Sequence, residues 1–193
     1  MIELLERRPL LICVAGPNGA GKSTFFESHL AASGLRFVNA DEIARELRID
    51  SYRAADIAEQ VRKQLVERGE SFIFETVFSD PIGEKLAFLR ETEGLGHTVV
   101  LMFIGIEDTA MSQVRVSIRA AKGGHDVPSD KLEARYVRTM ENLRRAMVSL
   151  NNVFVYDNSN LIDSYRLVAQ VKEGKLDTHG PIPAWLKPLL PRR

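Results

Sequence analysis

Gly16-Pro17-Asn18-Gly19-Ala20-Gly21-Lys22-Ser23-Thr24 places three glycines, a lysine and two hydroxyls in nine consecutive positions. The spacing Gly-x-x-x-x-Gly-Lys-Ser is met by Gly16, Gly21, Lys22 and Ser23, and it suits the binding of nucleotide phosphates. Glycines let the backbone turn so that several N–H groups face one anion, and the following helix start adds partial positive charge. A lysine here reaches the β and γ phosphates, and a serine hydroxyl ligates Mg²⁺. A chance glycine-rich turn is the alternative, but the flanks argue against it. Leu10 to Ala15 form an apolar run that reads as a buried strand, and Thr24-Phe25-Phe26-Glu27 can open a helix. Strand, glycine loop and helix are the context this pattern needs. The expected ligands are ATP and Mg²⁺.

Phosphoryl transfer also needs a carboxylate near the acceptor and positive charge for the transferred group. Asp41 follows the apolar stretch Phe37-Val38-Asn39-Ala40, and residues at the carboxyl ends of strands face the ligand crevice of open α/β sheets. It can accept a proton from a substrate hydroxyl or hold Mg²⁺ through water; its plainer role is to cap a helix over Glu42 to Leu47. Glu75-Thr76 ends a second such stretch, Ser71-Phe72-Ile73-Phe74. Glu75 is placed to serve the metal, orient a water or contact an acceptor, or to act only as a strand-end carboxylate; Thr76 and Ser79 are weaker candidates. Arg115 and Arg119 precede Lys122-Gly123-Gly124-His125-Asp126-Val127-Pro128, and Arg135 and Arg138 follow it. Two arginine pairs around a flexible joint suit a closing lid over about 115–138, because guanidinium forks match phosphate oxygens. Arg119 and Arg135 are the first candidates, then Arg115. His125 and Asp126 sit at the lid tip and are expected to face solvent.

The elements that must position these residues alternate along the chain. Strands are expected at 10–15, 36–39, 71–75, 98–105 and 153–156. Helical spacing marks Ala54, Ala58, Val61 and Leu65, and a later helix opening at Pro128 keeps Leu132, Tyr136, Met140, Leu143 and Met147 on one face. This order predicts an α/β fold of three layers, helices over a five-stranded, mainly parallel sheet. Leu167 to Val171 and Lys175-Leu176 around Glu173-Gly174 predict a small hairpin, followed by a tail that packs Trp185 on the body; together they span about 166–193. The 193 residues read as one domain, 1–193, of ordinary apolar content, 45%. Lys plus Arg equals Asp plus Glu, 26 of each, so no global field favours nucleic acid or an anionic membrane. No run approaches the ~18 apolar residues of a membrane span. Cys13, the single cysteine, lies within the first strand and reads as a buried, inert thiol. The reducing cytoplasm, where ATP is plentiful, is the expected compartment.

With these residues assembled, the chain resembles the zeta toxin family, phosphate-loop kinases related to chloramphenicol phosphotransferase. The matching stretches are Ala15 to Thr24, Phe37 to Ala44, Phe72 to Thr76, the block from Arg119 through Gly123-Gly124-His125 and Val127-Pro128 to Arg135-Tyr136, and Tyr156 to Ser159. The resemblance implies that Lys22 and Ser23 bind ATP and Mg²⁺, and that Asp41 is the base for a sugar hydroxyl. It further implies that Glu75 contacts the acceptor and that Arg119 and Arg135 steady the phosphates. By family, the acceptor is UDP-N-acetylglucosamine and an antitoxin protein is a partner. This chain is short, and Glu75 is followed by Thr76-Val77-Phe78-Ser79 in place of the Gly-Thr-Gly-Arg type of the best-known toxins, so its acceptor pocket is expected to differ. Two other readings compete: an ATP-binding or ATP-hydrolysing regulator without a small-molecule acceptor, and a nucleic-acid end kinase. The chain lacks a Leu-Ser-Gly-Gly-Gln signature of transporter ATPases, and its neutral charge balance disfavours the end kinase.

Overall fold

The computed structural model describes residues 2–121, 129–160 and 162–191. Alternation along the first strand, β1 (Leu10–Ala15), sets its layers. Successive side chains of a strand point to opposite faces, and all six residues of β1 are buried, so both faces must be covered. Leu11, Cys13 and Ala15 join one core and Leu10, Ile12 and Val14 the other. Around β1 lie β2 (Arg36–Val38), β3 (Phe72–Thr76), β4 (Thr98–Gly105) and β5 (Asn152–Asp157), parallel to their neighbours. The antiparallel pair β6 (Arg166–Lys172) and β7 (Lys175–Thr178) follows. The sheet order is β2-β3-β1-β4-β5-β6-β7.

The expected five-stranded sheet with a separate hairpin is therefore corrected: the hairpin extends the same sheet to seven strands. The reason is the edge of β5, an apolar strand whose outer backbone groups would otherwise lack a ladder. Val153 pairs with Val171 and Phe154 with Gln170, while Val168, Ala169 and Val171 add to the buried core. Glu173 and Gly174 both take positive φ, as a two-residue hairpin turn with the sheet's twist requires.

The helices are α1 (Ile2–Glu6), α2 (Lys22–Phe25), α3 (Ala40–Leu47), α4 (Ser51–Glu67), α5 (Glu84–Gly94), α6 (Thr109–Ala121) and α7 (Ser129–Ser149). α2 continues as a π-helical turn over Phe26–Leu30. Ala58 and Leu65 of α4, Leu86 and Leu89 of α5, and Leu143 and Met147 of α7 cover one face of the sheet. Leu4, Phe25 and Leu30 cover the other. β2 is one residue shorter than expected because Asn39 leaves the strand to cap α3, its Oδ1 accepting from the Asp41 N–H at 2.8 Å. Asp50 caps α4 in the same way, accepting from Tyr52 and Arg53.

The tail returns over the sheet. Trp185 and Leu186 are buried, and the indole occupies the space a side chain at Gly105 would need: a Cβ there would lie 2.2 Å from the ring. The indole Nε1–H donates to Asp157 Oδ1 at 3.1 Å. Among the described residues, no helix is long and apolar enough to cross a membrane.

Candidate active site

The loop between β1 and α2 is shaped by three glycines at positive φ, Gly16, Gly19 and Gly21. Two of them have no room for a side chain. A Cβ on Gly16 would lie 2.1 Å from the Ile104 carbonyl oxygen, and one on Gly21 would lie 2.8 Å from both Asn158 Nδ2 and the Tyr165 hydroxyl. The carbonyls of the loop are tied one after another to side chains. Lys22 Nζ donates to Pro17 O at 3.2 Å and Ser112 Oγ to Asn18 O at 2.7 Å. An Arg115 guanidinium nitrogen donates to Gly19 O at 3.5 Å, Asn158 Nδ2 to Ala20 O at 2.8 Å, and the Tyr165 hydroxyl to Gly21 O at 2.9 Å. In a trans peptide the N–H points opposite to the C=O. Holding the carbonyls of residues 18, 20 and 21 by these contacts therefore turns the N–H groups of Gly19, Gly21 and Lys22 the other way, the arrangement of an anion nest.

Three polar side chains converge on Glu75, which β3 places opposite Val14 of β1. Ser23 Oγ donates to Glu75 Oε2 at 2.9 Å, Asn39 Nδ2 donates to the same oxygen at 3.4 Å, and Lys22 Nζ lies 3.8 Å from Oε1. Lys22 is buried, with 7% of its side chain exposed. The adjacent Glu42 carboxyl is raised above its ordinary range, first by partial burial and further by the like charges of Glu46, Glu75 and Glu27, against the lowering effect of Arg45.

Beyond Glu75 opens a cavity of about 240 Å³. The start of α3 lines it with Asn39 and Asp41, the end of β3 with Glu75, Thr76 and Val77, α4 with Asp56, Glu59 and Arg62, and α5 with Lys85. Asp41 is exposed there. Its expected capping role belongs to Asn39, which leaves the Asp41 carboxylate without that duty. Thr76 faces the cavity and its Oγ1 accepts from the Phe78 N–H at 3.0 Å. Phe78 is buried and held at φ 62°, a costly conformation for a residue with a side chain. Helix α7 supports it. Thr139 Oγ1 donates to Val77 O at 2.9 Å, Arg138 Nε to Ser79 O at 2.8 Å, and Asn142 Nδ2 to Phe78 O and Asp80 O, both at 3.0 Å.

The arginines thus divide. Arg115 on α6 braces the phosphate loop and also donates to Asn158 O at 2.9 Å. Arg138 is engaged with the segment after β3. Arg135 lies half-buried on α7. The Arg119 side chain and the whole segment 122–128, with its paired glycines, His125 and Asp126, lie outside the described residues. Ser112, Asn158, Tyr165, Thr139 and Asn142 were not selected from the sequence as site residues. Only the stretch Tyr156 to Ser159 pointed toward one of them.

A nucleotide cradle at the end of β1, beside a cavity reached through Glu75, defines the class of a phosphate-loop kinase-type fold. The zeta toxin family model matches residues 3–167, and the chain belongs to that family. Comparison with characterised protein sequences gave no significant match. Among solved structures, the complex of AvrRxo1-ORF1 and -ORF2 with ATP superposes with a TM-score of 0.71 at 20% identity, over 91% of this chain and 63% of that one. This chain therefore spans less than two thirds of that relative's length. The PezAT chromosomal toxin–antitoxin system of Streptococcus pneumoniae gives 0.61 at 17% identity, over 84% of this chain and 72% of that one. A putative kinase from Chloroflexus aurantiacus gives 0.51 at 19% identity, over 69% and 80%. At these identities the likeness is one of fold.

Proposed function

We propose that this chain is an ATP-dependent small-molecule kinase that transfers the γ-phosphate to a hydroxyl, with a UDP-amino sugar such as UDP-N-acetylglucosamine as the first acceptor to test. The observation that carries this reading is the double position of Glu75. It touches Lys22 and Ser23 of the phosphate loop and at the same time lines the cavity that holds Asp41. A donor phosphate and an acceptor hydroxyl could meet at that junction. Gly16, Gly19 and Gly21 at positive φ give the loop the turns that let its amides face one anion, where a phosphate chain would lie. Ser23 Oγ and the carboxylates of Glu75 and Asp41 are hard oxygen donors of the kind Mg²⁺ takes; Ser23, with Asp41 through water, would hold it. Bound there, the metal would neutralise charge developing on the phosphate oxygens.

The residues then divide the work. Residues 16 to 24 bind the nucleotide, and Lys22 follows the terminal phosphate. Asp41 accepts the proton of the acceptor hydroxyl. Glu75 and Thr76 orient the acceptor, and Arg119 and Arg135 offset negative charge during transfer. Arg115, with its contacts to Gly19 and Asn158, serves as a positioning residue for the cradle. An antitoxin protein is the proposed partner and the cytoplasm the proposed compartment. The test is ATP consumption with a panel of UDP-sugars, with mass spectrometry for a gain of one phosphate. Asp41→Asn should keep ATP binding and lower turnover at least a hundredfold, in line with the ~10²–10⁴ that general base catalysis contributes. Full turnover in that variant removes Asp41 as the base. ATP hydrolysis independent of any acceptor would favour the regulator.

A further inference from the structure

The cavity beside Glu75 contains a cation that the phosphate loop does not use. Arg62 projects from α4, and only 6% of it is exposed. Its guanidinium carbon lies 5.0 Å from the centroid of the Phe74 ring, over the ring face. Among the described residues it makes no ion pair or hydrogen bond. Four carboxylates, those of Asp41, Asp56, Glu59 and Glu75, line the cavity with it, and none is paired with it among the described residues. Glu59, one turn earlier on α4, pairs with Lys63 at 2.8 Å and with Lys85 at 3.6 Å. Glu75 accepts from Ser23 and Asn39 and faces Lys22. Asp41 and Asp56 are exposed.

A guanidinium withdrawn from water without a carboxylate partner is costly, and stacking on an aromatic ring recovers only part of the loss. Burial pulls the Arg62 pKa down, with Cys13 and Glu59 acting in the other direction. A charge kept in that state beside a cavity suits a ligand that brings the missing negative charge. Arginine is the residue for this, since its planar fork matches phosphate and carboxylate oxygens in pairs. Lys85 lines the same cavity, 3.6 Å from Glu59, a carboxylate it shares with Lys63.

We propose that Arg62, with Lys85 as second cation, is the residue of this cavity that recognises the acceptor's anionic group, a phosphate such as the diphosphate of a UDP-sugar, or a carboxylate. The proposal rests on reading this cavity as the acceptor site. It separates two parts of the molecule: Lys22 and Ser23 take the donor's phosphates, and Arg62, on α4, takes the acceptor's charge.

The test loads the full chain with a non-hydrolysable ATP analogue, so that the phosphate loop is filled, and then titrates inorganic pyrophosphate and, separately, malonate by calorimetry. Binding of the analogue itself is the independent check of the kinase reading; its failure would sink that reading whatever the anions do. With the analogue bound, wild type should bind at least one of the two anions, and which one identifies phosphate or carboxylate. Arg62→Met keeps the packing on Phe74 and should weaken anion binding at least tenfold, while the affinity for the analogue stays within twofold. Arg62→Lys should fall between the two, a recovery by charge that a purely structural arginine would not give. Thermal melts of both variants establish that they fold, and the lysine variant carries the test if the methionine variant does not. No anion binding by the loaded wild type, or equal binding by folded wild type and variants, overturns the proposal.

Discussion

Cys13 shows how far position alone decides the chemistry of a side chain. It is fully buried in β1, and burial pushes its thiol well above the ordinary value of 9.0, against weaker opposing charges of Arg62 and Lys85. The same cause, burial, raises Tyr156 from 10.0 to about 12. Tyr136 rises equally, with Asp108 and Glu107 adding to the effect. Each of these groups holds its proton longer in the folded chain than in the unfolded one. Below the unfolded values their contribution to stability is complete; as pH rises past them the unfolded state ionises while the folded state cannot. The denaturant midpoint should therefore hold up to about pH 9, where the unfolded thiol begins to ionise, and fall between 10 and 12 as the unfolded tyrosines follow. Urea titrations at pH 8 and pH 10.5 check this, and a flat profile would contradict the burial of these groups. In the native state Cys13 should also resist thiol reagents at pH 8, reacting only on unfolding.

Among the elements, α7 acts through its polar side as much as its apolar one. Its stripe packs on the sheet, while Arg138, Thr139 and Asn142 hold the four carbonyls of residues 77–80. Asn142 is 2% exposed and serves two of them. Asn142→Ala should cost about 1–3 kcal/mol by leaving buried carbonyls unpaired. It should raise the KM for the acceptor while leaving ATP affinity nearly unchanged, because residues 76 and 77 line the cavity and the phosphate loop does not touch Asn142. Equal losses in both would contradict this division. The helix itself was legible in the sequence from the spacing of Leu132, Tyr136, Leu143 and Met147, as were the strands from their apolar runs. Its grip on residues 77–80 was not legible, since hydrogen bonds across about sixty residues leave no local period. The phosphate loop was legible because its chemistry is contiguous. Ser112, Asn158 and Tyr165, which tie its carbonyls, reach it from 94, 138 and 144 residues away along the chain. Asn39 was read as part of a strand because a capping asparagine and a strand end look alike until Asp41 is seen to donate to it.

At the scale of the whole molecule, the tail and the sheet depend on each other through Gly105 and Trp185. Gly105→Val should expel the indole, since even a Cβ would lie 2.2 Å from it, and cost about 3–5 kcal/mol, the range for losing a buried tryptophan. As the single tryptophan, Trp185 reports this directly: wild-type emission should be blue-shifted, and the variant should emit at the red, solvent-exposed position before any global unfolding. Unchanged emission would mean that the tail docks by other contacts. The expelled indole would also leave Asp157, among the described residues, with Ser159 and Arg166 as its side-chain partners, next to the Asn158 that holds Ala20. That adjacency bears on the phosphate loop as a whole. Its five carbonyls are moored to α2, α6, the end of β5 and the connection into β6. The loop therefore surrenders its freedom when the chain folds, and a nucleotide arriving later has little left to immobilise. Association should be fast and show only a small conformational entropy loss. The Ala20 amide, which donates to Pro17 O, should exchange with deuterium at the rate of those surrounding elements whether or not a nucleotide is present, whereas the amides of Gly19 and Gly21, turned toward the nest, should slow only when a nucleotide covers them.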